Sequence, residues 1–152
     1  MPRVAVVMGS RSDEPYARKV TEVLDRLGLD YEVQAISAHR NPERLREYAR
    51  GLEGRGVEVV IALAGGSAAL PGVLAAWTPL PVIGVPLPTS DLRGVDALYS
   101  IAQMPPGVPV ACVAVGEWGA RNAAYLACAV LALKHEDARR AYREHRERLA
   151  QG

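Results

Sequence analysis

Hydrophobic positions along this chain fall into short runs, each followed by a stretch with helical spacing. Val4–Met8, Tyr31–Ile36, Val57–Ala64, Val82–Val85 and Val110–Val115 are rich in β-branched residues and mostly continuous in apolar character. Strands buried on both faces of a parallel sheet carry that signature, whereas strands with one wet face alternate. Between the first two runs, Ala17, Val20, Val23, Leu24 and Leu27 mark one face of a helix. Asp13 is placed to cap that helix and Gly28 to stop it. Leu45, Tyr48, Ala49 and Leu52 repeat in the same way, after an Asn41-Pro42 start signal and before Gly54 and Gly56.

The strand ends fall near Met8, Ile36, Ala64, Val85 and Val115, roughly one βα unit apart. That regularity predicts one doubly wound parallel α/β sheet and a single domain over residues 1–152. Ala120–Leu133 is apolar nearly all round and reads as a buried helix. Over Glu136–Leu149 the pattern thins to a stripe of Ala138, Ala141, Tyr142 and Leu149 on a charged helix. Such a stripe fits packing on another subunit, with a solvated, frayed tail as the alternative.

At 152 residues the chain can bury a core without disulfides or metals. Apolar content of 49% describes an ordinary globular protein, and a net charge of +1 provides no field to attract nucleic acid or a membrane surface. Any anion site must therefore be local. Phe is absent and aromatics are few, which argues against base-stacking platforms. Cys112 and Cys128 lack CxxC spacing and read as buried, reduced residues. The first strand begins almost at Met1 and no apolar run reaches transmembrane length, so a cytoplasmic location is expected.

Two polar segments sit where strands end. Gly9-Ser10-Arg11-Ser12-Asp13 combines small residues, a helix N-terminus and a carboxylate. It reads either as an anion site or as a plain capping turn. Ser37-Ala38-His39-Arg40 offers a hydroxyl, an imidazole and a guanidinium, the last suited to phosphate through its planar fork. A loop histidine without a role is the alternative for His39. A third strand end, Ala64-Gly65-Gly66-Ser67-Ala68-Ala69, lets backbone approach a ligand closely. It falls one glycine short of a nucleophile elbow, and Asp91 or Asp96 followed by His135 keeps a serine-hydrolase order open. There is no GxGxxG and no P-loop. His135 and His145 lie ten residues apart among Arg and Glu, which fits a solvated face and no metal site.

Further motifs follow in order: Leu70-Pro71-Gly72, Gly84-Val85-Pro86, Gly94-Val95-Asp96-x-Leu98-Tyr99-Ser100, Gln103-Met104-Pro105-x-Gly107-x-Pro109-Val110 and Asn122-Ala123-Ala124. With the three strand-end segments, this set resembles the N5-carboxyaminoimidazole ribonucleotide mutase family of purine biosynthesis over roughly residues 3–133. The resemblance implies a flavodoxin-like three-layer αβα sandwich with a C-terminal helical extension, and homo-octamers whose sites lie between subunits. It implies that Ser10 and Arg40 hold the ribonucleotide phosphate, that Asp13 holds ribose hydroxyls and that Ser37 lines the phosphate pocket. Gly65, Gly66 and Ser67 complete the substrate-binding set, and His39 is the general acid/base. It implies CO2 as an intermediate, with no ATP, metal or organic cofactor. From size alone, Ala38, Gly65, Gly66 and Ala68 could shape a tight pocket for that CO2.

The chain also departs from the family pattern. Where the mutase pattern has Ala-Ala-His-Leu-Pro-Gly, this chain has Ala69 in place of the histidine, and Pro106 stands where many mutases have Arg. A second class of the family carboxylates aminoimidazole ribonucleotide directly with CO2. Its pattern has an Arg where this chain has Gly66 and lacks the proline found here as Pro71. Mutase is the favoured expectation, direct carboxylase the second, and a non-catalytic nucleotide-binding module the third.

Overall fold

A computed structural model describes residues 1–152. Five parallel strands, β1 (Val4–Met8), β2 (Tyr31–Ala35), β3 (Val59–Gly65), β4 (Val82–Leu87) and β5 (Ala111–Cys112), form one sheet in the order β2-β1-β3-β4-β5. Six helices surround it: α1 (Glu14–Arg26), α2 (Pro42–Arg50), α3 (Leu70–Trp77), α4 (Val95–Ala102), α5 (Glu117–Leu131) and α6 (Glu136–Ala150). This is the flavodoxin-like, doubly wound arrangement.

Alternation within β1 shows why its apolar run is unbroken. Val4, Val6 and Met8 join one core with α1 and α5, while Ala5 and Val7 join the other with α2, α3 and α4. Each strand residue is buried on one side or the other, so none is free to be polar.

The outer strands depart from that expectation. β2 has a neighbour on one side only, and its Val33 is 41% exposed. β5 is two residues long rather than the six of Val110–Val115. After Cys112 the chain leaves the ladder, and the Gly116 N–H returns to the Pro86 carbonyl at 2.9 Å. On its other side β4 pairs with β3, Pro86 with Ala64 and Leu87 with Gly65, and so runs beyond the expected end at Val85. Cys112, at this edge, is half-buried rather than buried, whereas Cys128 is buried as expected. Burial pushes the Cys128 thiol up to about 11, aided by the charge of Asp137.

The two C-terminal helices also differ from the sequence reading. α5 buries one face, Gly119, Ala120, Ala123, Ala124, Ala127, Cys128 and Leu131, and leaves Leu126 outward. It is therefore not buried all round. The first half of the α6 stripe is covered within the chain: Ala138 is fully buried, and Ala141 and Tyr142 pack on the α1–α5 core. Leu149 stays 62% exposed. The start of α6 is tied down by Arg3 to Asp137 at 3.0 Å and by His135 Nε2 to Glu58 Oε2 at 2.7 Å. His135 is thus a half-buried structural tie rather than part of a solvated face. His145 is half-buried too, stacked on Tyr125 with ring centroids 4.0 Å apart. Burial lowers its pKa, helped by Arg148, Arg146 and Arg26.

Candidate active site

In an open α/β sheet, ligands bind outside the carboxyl ends of the strands, where the strand order reverses. Here the order reverses between β1 and β3, so the loops leaving them diverge and open a crevice. A cavity of about 330 Å³ lies there, at the lower end of the range for small-molecule sites. Its walls come from four strand ends: Gly9, Ser10, Ser12 and Asp13 after β1; Ser37, Ala38, His39 and Arg40 after β2; Ala64, Gly65, Ala68, Ala69 and Leu70 at β3; and Thr89 after β4.

The first wall is a single 3₁₀ turn, Arg11–Asp13, leading into α1. Ser10, not Asp13, caps it: the Ser10 hydroxyl accepts from the Ser12 N–H at 3.3 Å and meets the Ser12 hydroxyl at 2.8 Å. Asp13 makes no capping bond to α1, which corrects the sequence expectation. Asp13 is instead 6% exposed and lines the cavity. Burial raises its pKa, with the Ser10 backbone pulling the other way. Because burial outweighs that backbone contact, the carboxylate is destabilising until further donors reach it.

That environment gives a prediction. Folding favours the protonated form of Asp13, so its contribution to stability is largest below the unfolded pKa and is lost as pH rises through the folded one. At neutral pH the buried charge opposes folding. Asp13→Asn should therefore raise the unfolding temperature of the ligand-free protein while weakening its hold on a hydroxyl-bearing ligand. Differential scanning calorimetry with ligand titration checks both, and a lower melting temperature at neutral pH would contradict it.

The second wall is a turn closed by the Asn41 N–H on the Ser37 carbonyl at 3.0 Å and by the Arg40 N–H on the Ser37 hydroxyl at 3.1 Å. Ser37 is therefore first a turn former, though its hydroxyl proton remains free to donate. The turn presents His39 and Arg40 side by side, both exposed. Arg3, Arg46, Arg55 and Arg139 all hold carboxylates, but the Arg40 guanidinium pairs with none.

The third wall is tight. A Cβ on Gly65 would overlap the Thr89 hydroxyl and come within 3.3 Å of the Leu87 carbonyl. Glycine is needed there so that β3 and the loop after β4 can meet. Gly66 (φ 60°) and Ser67 lie just outside the cavity lining, so the structure does not bring them together with the other expected residues. Ala38 and Ala68, expected to shape a small pocket, do line it. The sequence reading missed Thr89, although the strand-end rule that marked the other loops applies equally after β4.

The serine-hydrolase order does not assemble. His135 is bonded to Glu58 at the amino end of β3, and Ser67 lies beyond its carboxyl end, about 20 Å away along a seven-residue strand. Asp96 is taken up by Ser90. No three His, Cys, Asp or Glu side chains gather in an arrangement that could hold a metal ion.

The family model for AIR carboxylase matches residues 3–152. The chain belongs to this family. Among its relatives, an N5-carboxyaminoimidazole ribonucleotide mutase of Thermotoga maritima is 52% identical over 149 residues, 98% of this chain and 86% of the relative. Another of that name from Saccharolobus solfataricus is 55% identical over 90% of this chain and 85% of its own. The crystal structure of Treponema denticola PurE superposes with a TM-score of 0.87 at 29% identity, covering 99% of this chain and 93% of that one. A 3-dehydroquinate dehydratase-like protein from Bifidobacterium longum, 16% identical with a TM-score of 0.55 over 86% of this chain and 98% of that one, shares the fold alone. Family membership thus agrees with the expected sheet and with the motif order. No helix of this AIR carboxylase family member is long and apolar enough to cross a membrane.

Proposed function

We propose that this chain converts N5-carboxyaminoimidazole ribonucleotide to 4-carboxyaminoimidazole ribonucleotide in purine biosynthesis. One observation carries this reading. A single cavity joins a hydroxyl-and-guanidinium side (Ser10, Ser12, Ser37, Arg40), a buried carboxylate (Asp13), an imidazole (His39) and a lobe of small apolar residues (Ala38, Ala64, Gly65, Ala68, Ala69). Arg40 and Ser10 hold the phosphate, Ser37 adds a donor, and Asp13 takes ribose hydroxyls that relieve its desolvation. Gly65 seats the Thr89 hydroxyl against β3 and forms with it the wall beside the ring, with Gly66 and Ser67 shaping the loop behind it.

The substrate carries a carbamate on its exocyclic nitrogen. His39 protonates that nitrogen as the C–N bond to the carboxyl group breaks, releasing CO2. The electron-rich imidazole carbon of the substrate then attacks CO2 and forms the new C–C bond. His39, now neutral, removes the proton from that carbon. One imidazole serves both steps because histidine is the side-chain type whose ordinary charge change falls near neutrality. The apolar lobe keeps CO2 beside the ring, which is a positioning effect. Neither ATP, a metal nor an organic cofactor enters the scheme.

Ala69 favours a second reading, direct carboxylation of aminoimidazole ribonucleotide, since it lines the cavity without offering a second titratable group. The mutase name of relatives at 49–55% identity supports the first. The test is turnover of both ribonucleotides with and without added bicarbonate. The mutase converts the carbamate substrate in bicarbonate-free buffer. Turnover of aminoimidazole ribonucleotide alone, dependent on bicarbonate, would establish the direct carboxylase. Binding without turnover would leave a nucleotide-binding module.

Arg40→Ala should weaken a 5′-phosphorylated ligand by about 1.5–3 kcal/mol, the contribution of a charge-assisted contact, or roughly 10- to 150-fold in Kd. The dephosphorylated ribonucleoside should be affected little. Calorimetry with the two ligands separates them, and equal losses would contradict the phosphate role.

A homo-octamer belongs to the same reading, as does a cytoplasmic setting for a chain with two unpaired cysteines. Trp118, Leu126, Leu133 and Leu149 are exposed on and around α5 and α6, an apolar surface suited to another copy. Cutting after His135 should lower both assembly and activity, read by light scattering with a rate assay. A truncated chain that stays fully octameric would show that α6 takes no part in assembly.

A further inference from the structure

Two residues other than glycine stand in the left-handed backbone region, Ala68 at φ 45° and Arg93 at φ 55°. A Cβ disfavours that conformation, so the surroundings must hold each residue in it. Both belong to loops on the β3–β4 side of the cavity. Ala68 lines it, and the Arg93 N–H closes a turn onto the Ser90 carbonyl at 3.0 Å, directly after Thr89.

One helix reaches both loops. From α4, the Ser100 hydroxyl donates to the Ser67 carbonyl, one residue before Ala68. A turn earlier, the Asp96 carboxylate accepts from the Ser90 hydroxyl at 2.6 Å, and that hydroxyl accepts from the Leu92 N–H at 3.2 Å. Four residues apart, Asp96 and Ser100 project from one side of the helix. Their neighbours Ala97 and Ile101, also four apart, are buried against the sheet. Gly84 makes room for them, since a Cβ there would overlap the Ile101 side chain. One stripe of α4 fixes it to the sheet, and the next reaches the two loops.

We propose that α4 is a two-pronged brace, with Ser100 and Asp96 as positioning residues that hold the Ala68 loop and the Thr89–Arg93 turn and so set the wall facing His39. Neither residue lines the cavity, so each acts through the loop it holds. Thr89 belongs to that wall, and its hydroxyl lies against Gly65. Gly65 receives it on one side, and the Ser90–Asp96 bond anchors the next residue on the other. The Gly94–Ser100 motif thereby acquires a role in the reaction proposed above, on which only the kinetic part of the test depends.

Hydrogen exchange on the ligand-free full chain tests the brace without assuming any reaction. Ser100→Ala should speed exchange across residues 66–70 and Asp96→Ala across 89–93, with β1 and α1 unchanged. In kinetics, each should lower kcat/KM about tenfold to a hundredfold, the scale of a misplacement near 1 Å. The melting temperature of Ser100→Ala should scarcely move, because water can replace the hydroxyl at the exposed Ser67 carbonyl. Ser100→Thr keeps the hydroxyl and should restore both readouts. In an Ala68→Gly background the left-handed conformation is accessible without strain, so Ser100→Ala should then add little. Unchanged exchange in Ser100→Ala, or a loss that Ser100→Thr fails to restore, overturns the brace. A parent chain that turns over neither ribonucleotide defeats the proposed reaction instead, and exchange still decides the brace.

Discussion

Replacing His39 with asparagine should reduce turnover by a factor of about 10²–10⁴, the usual contribution of a general acid or base, while leaving the fold and ribonucleotide affinity near those of the parent. Three charged or titratable side chains line the cavity: Asp13, His39 and Arg40. A guanidinium stays protonated throughout the working pH range and cannot shuttle a proton. Asp13 sits in the turn before α1, where burial raises its pKa and ribose hydroxyls would engage it. His39 is left as the group that can both give and take a proton. Its side chain is exposed, and the turn under it is held by the Asn41 N–H on the Ser37 carbonyl and the Arg40 N–H on the Ser37 hydroxyl, so asparagine removes the imidazole without disturbing a packed core. The measurement pairs steady-state rates with calorimetric titration of substrate. Near-normal turnover by a correctly folded variant would end the assignment.

Gly119→Ala should be the most damaging single methyl in the chain. Gly119 is in the first turn of α5, and a Cβ there would overlap the carbonyl of Ala114. The obstruction is backbone, so no side chain can rotate away from it. The helix would have to lift from the segment that joins β5 to α5, and with it would go Ala120, Ala123 and Ala124, all fully buried. Overpacking usually destabilises by about 1–3 kcal/mol, and a backbone obstruction belongs at or above the top of that range. For a domain of this size that corresponds to a fall of about 10 °C in the unfolding midpoint. Thermal unfolding at matched protein concentration is the check, because any assembly would shift the midpoint with concentration. A variant that melts within a degree or two of the parent would show that α5 does not press on Ala114.

Much of this architecture is legible in the residues because the causes are local. Val4–Met8 is apolar throughout since each face of β1 meets a helix layer, and its bounds follow from the run itself. Gly28 and Asn41-Pro42 mark helix ends through φ preferences that need no tertiary partner. The two segments at the ends of β1 and β2 are recognisable as one site because parallel topology obliges their carboxyl ends to face the same way.

Other features depend on what each element meets, and spacing carries no trace of that. β5 is two residues long, although Val110–Val115 has the composition of a longer strand, because beyond Val113 the chain turns towards α5 and its Gly116 N–H bonds the Pro86 carbonyl. Asp13 has the position and the residue type of a helix cap, yet it makes no capping bond to α1, Ser10 caps the 3₁₀ turn before it, and the carboxylate is left to the cavity. His135 sits among charged residues in the sequence but finds Glu58, 77 positions away, and becomes a tie for α6. Thr89 and Ser90 look unremarkable, and Asp96 and Ser100 are only members of a motif, until α4 docks beside β4 and places the latter two against the loops of the site. Periodicity and turn chemistry act over a few residues, so the kinds of element, their order and the two loops that carry the candidate chemistry can be read from the residues alone. The extent of an edge strand, the partner His135 finds and the helix that meets the loops of the site are set by contacts between residues far apart in the chain, which emerge once the fold has brought them together.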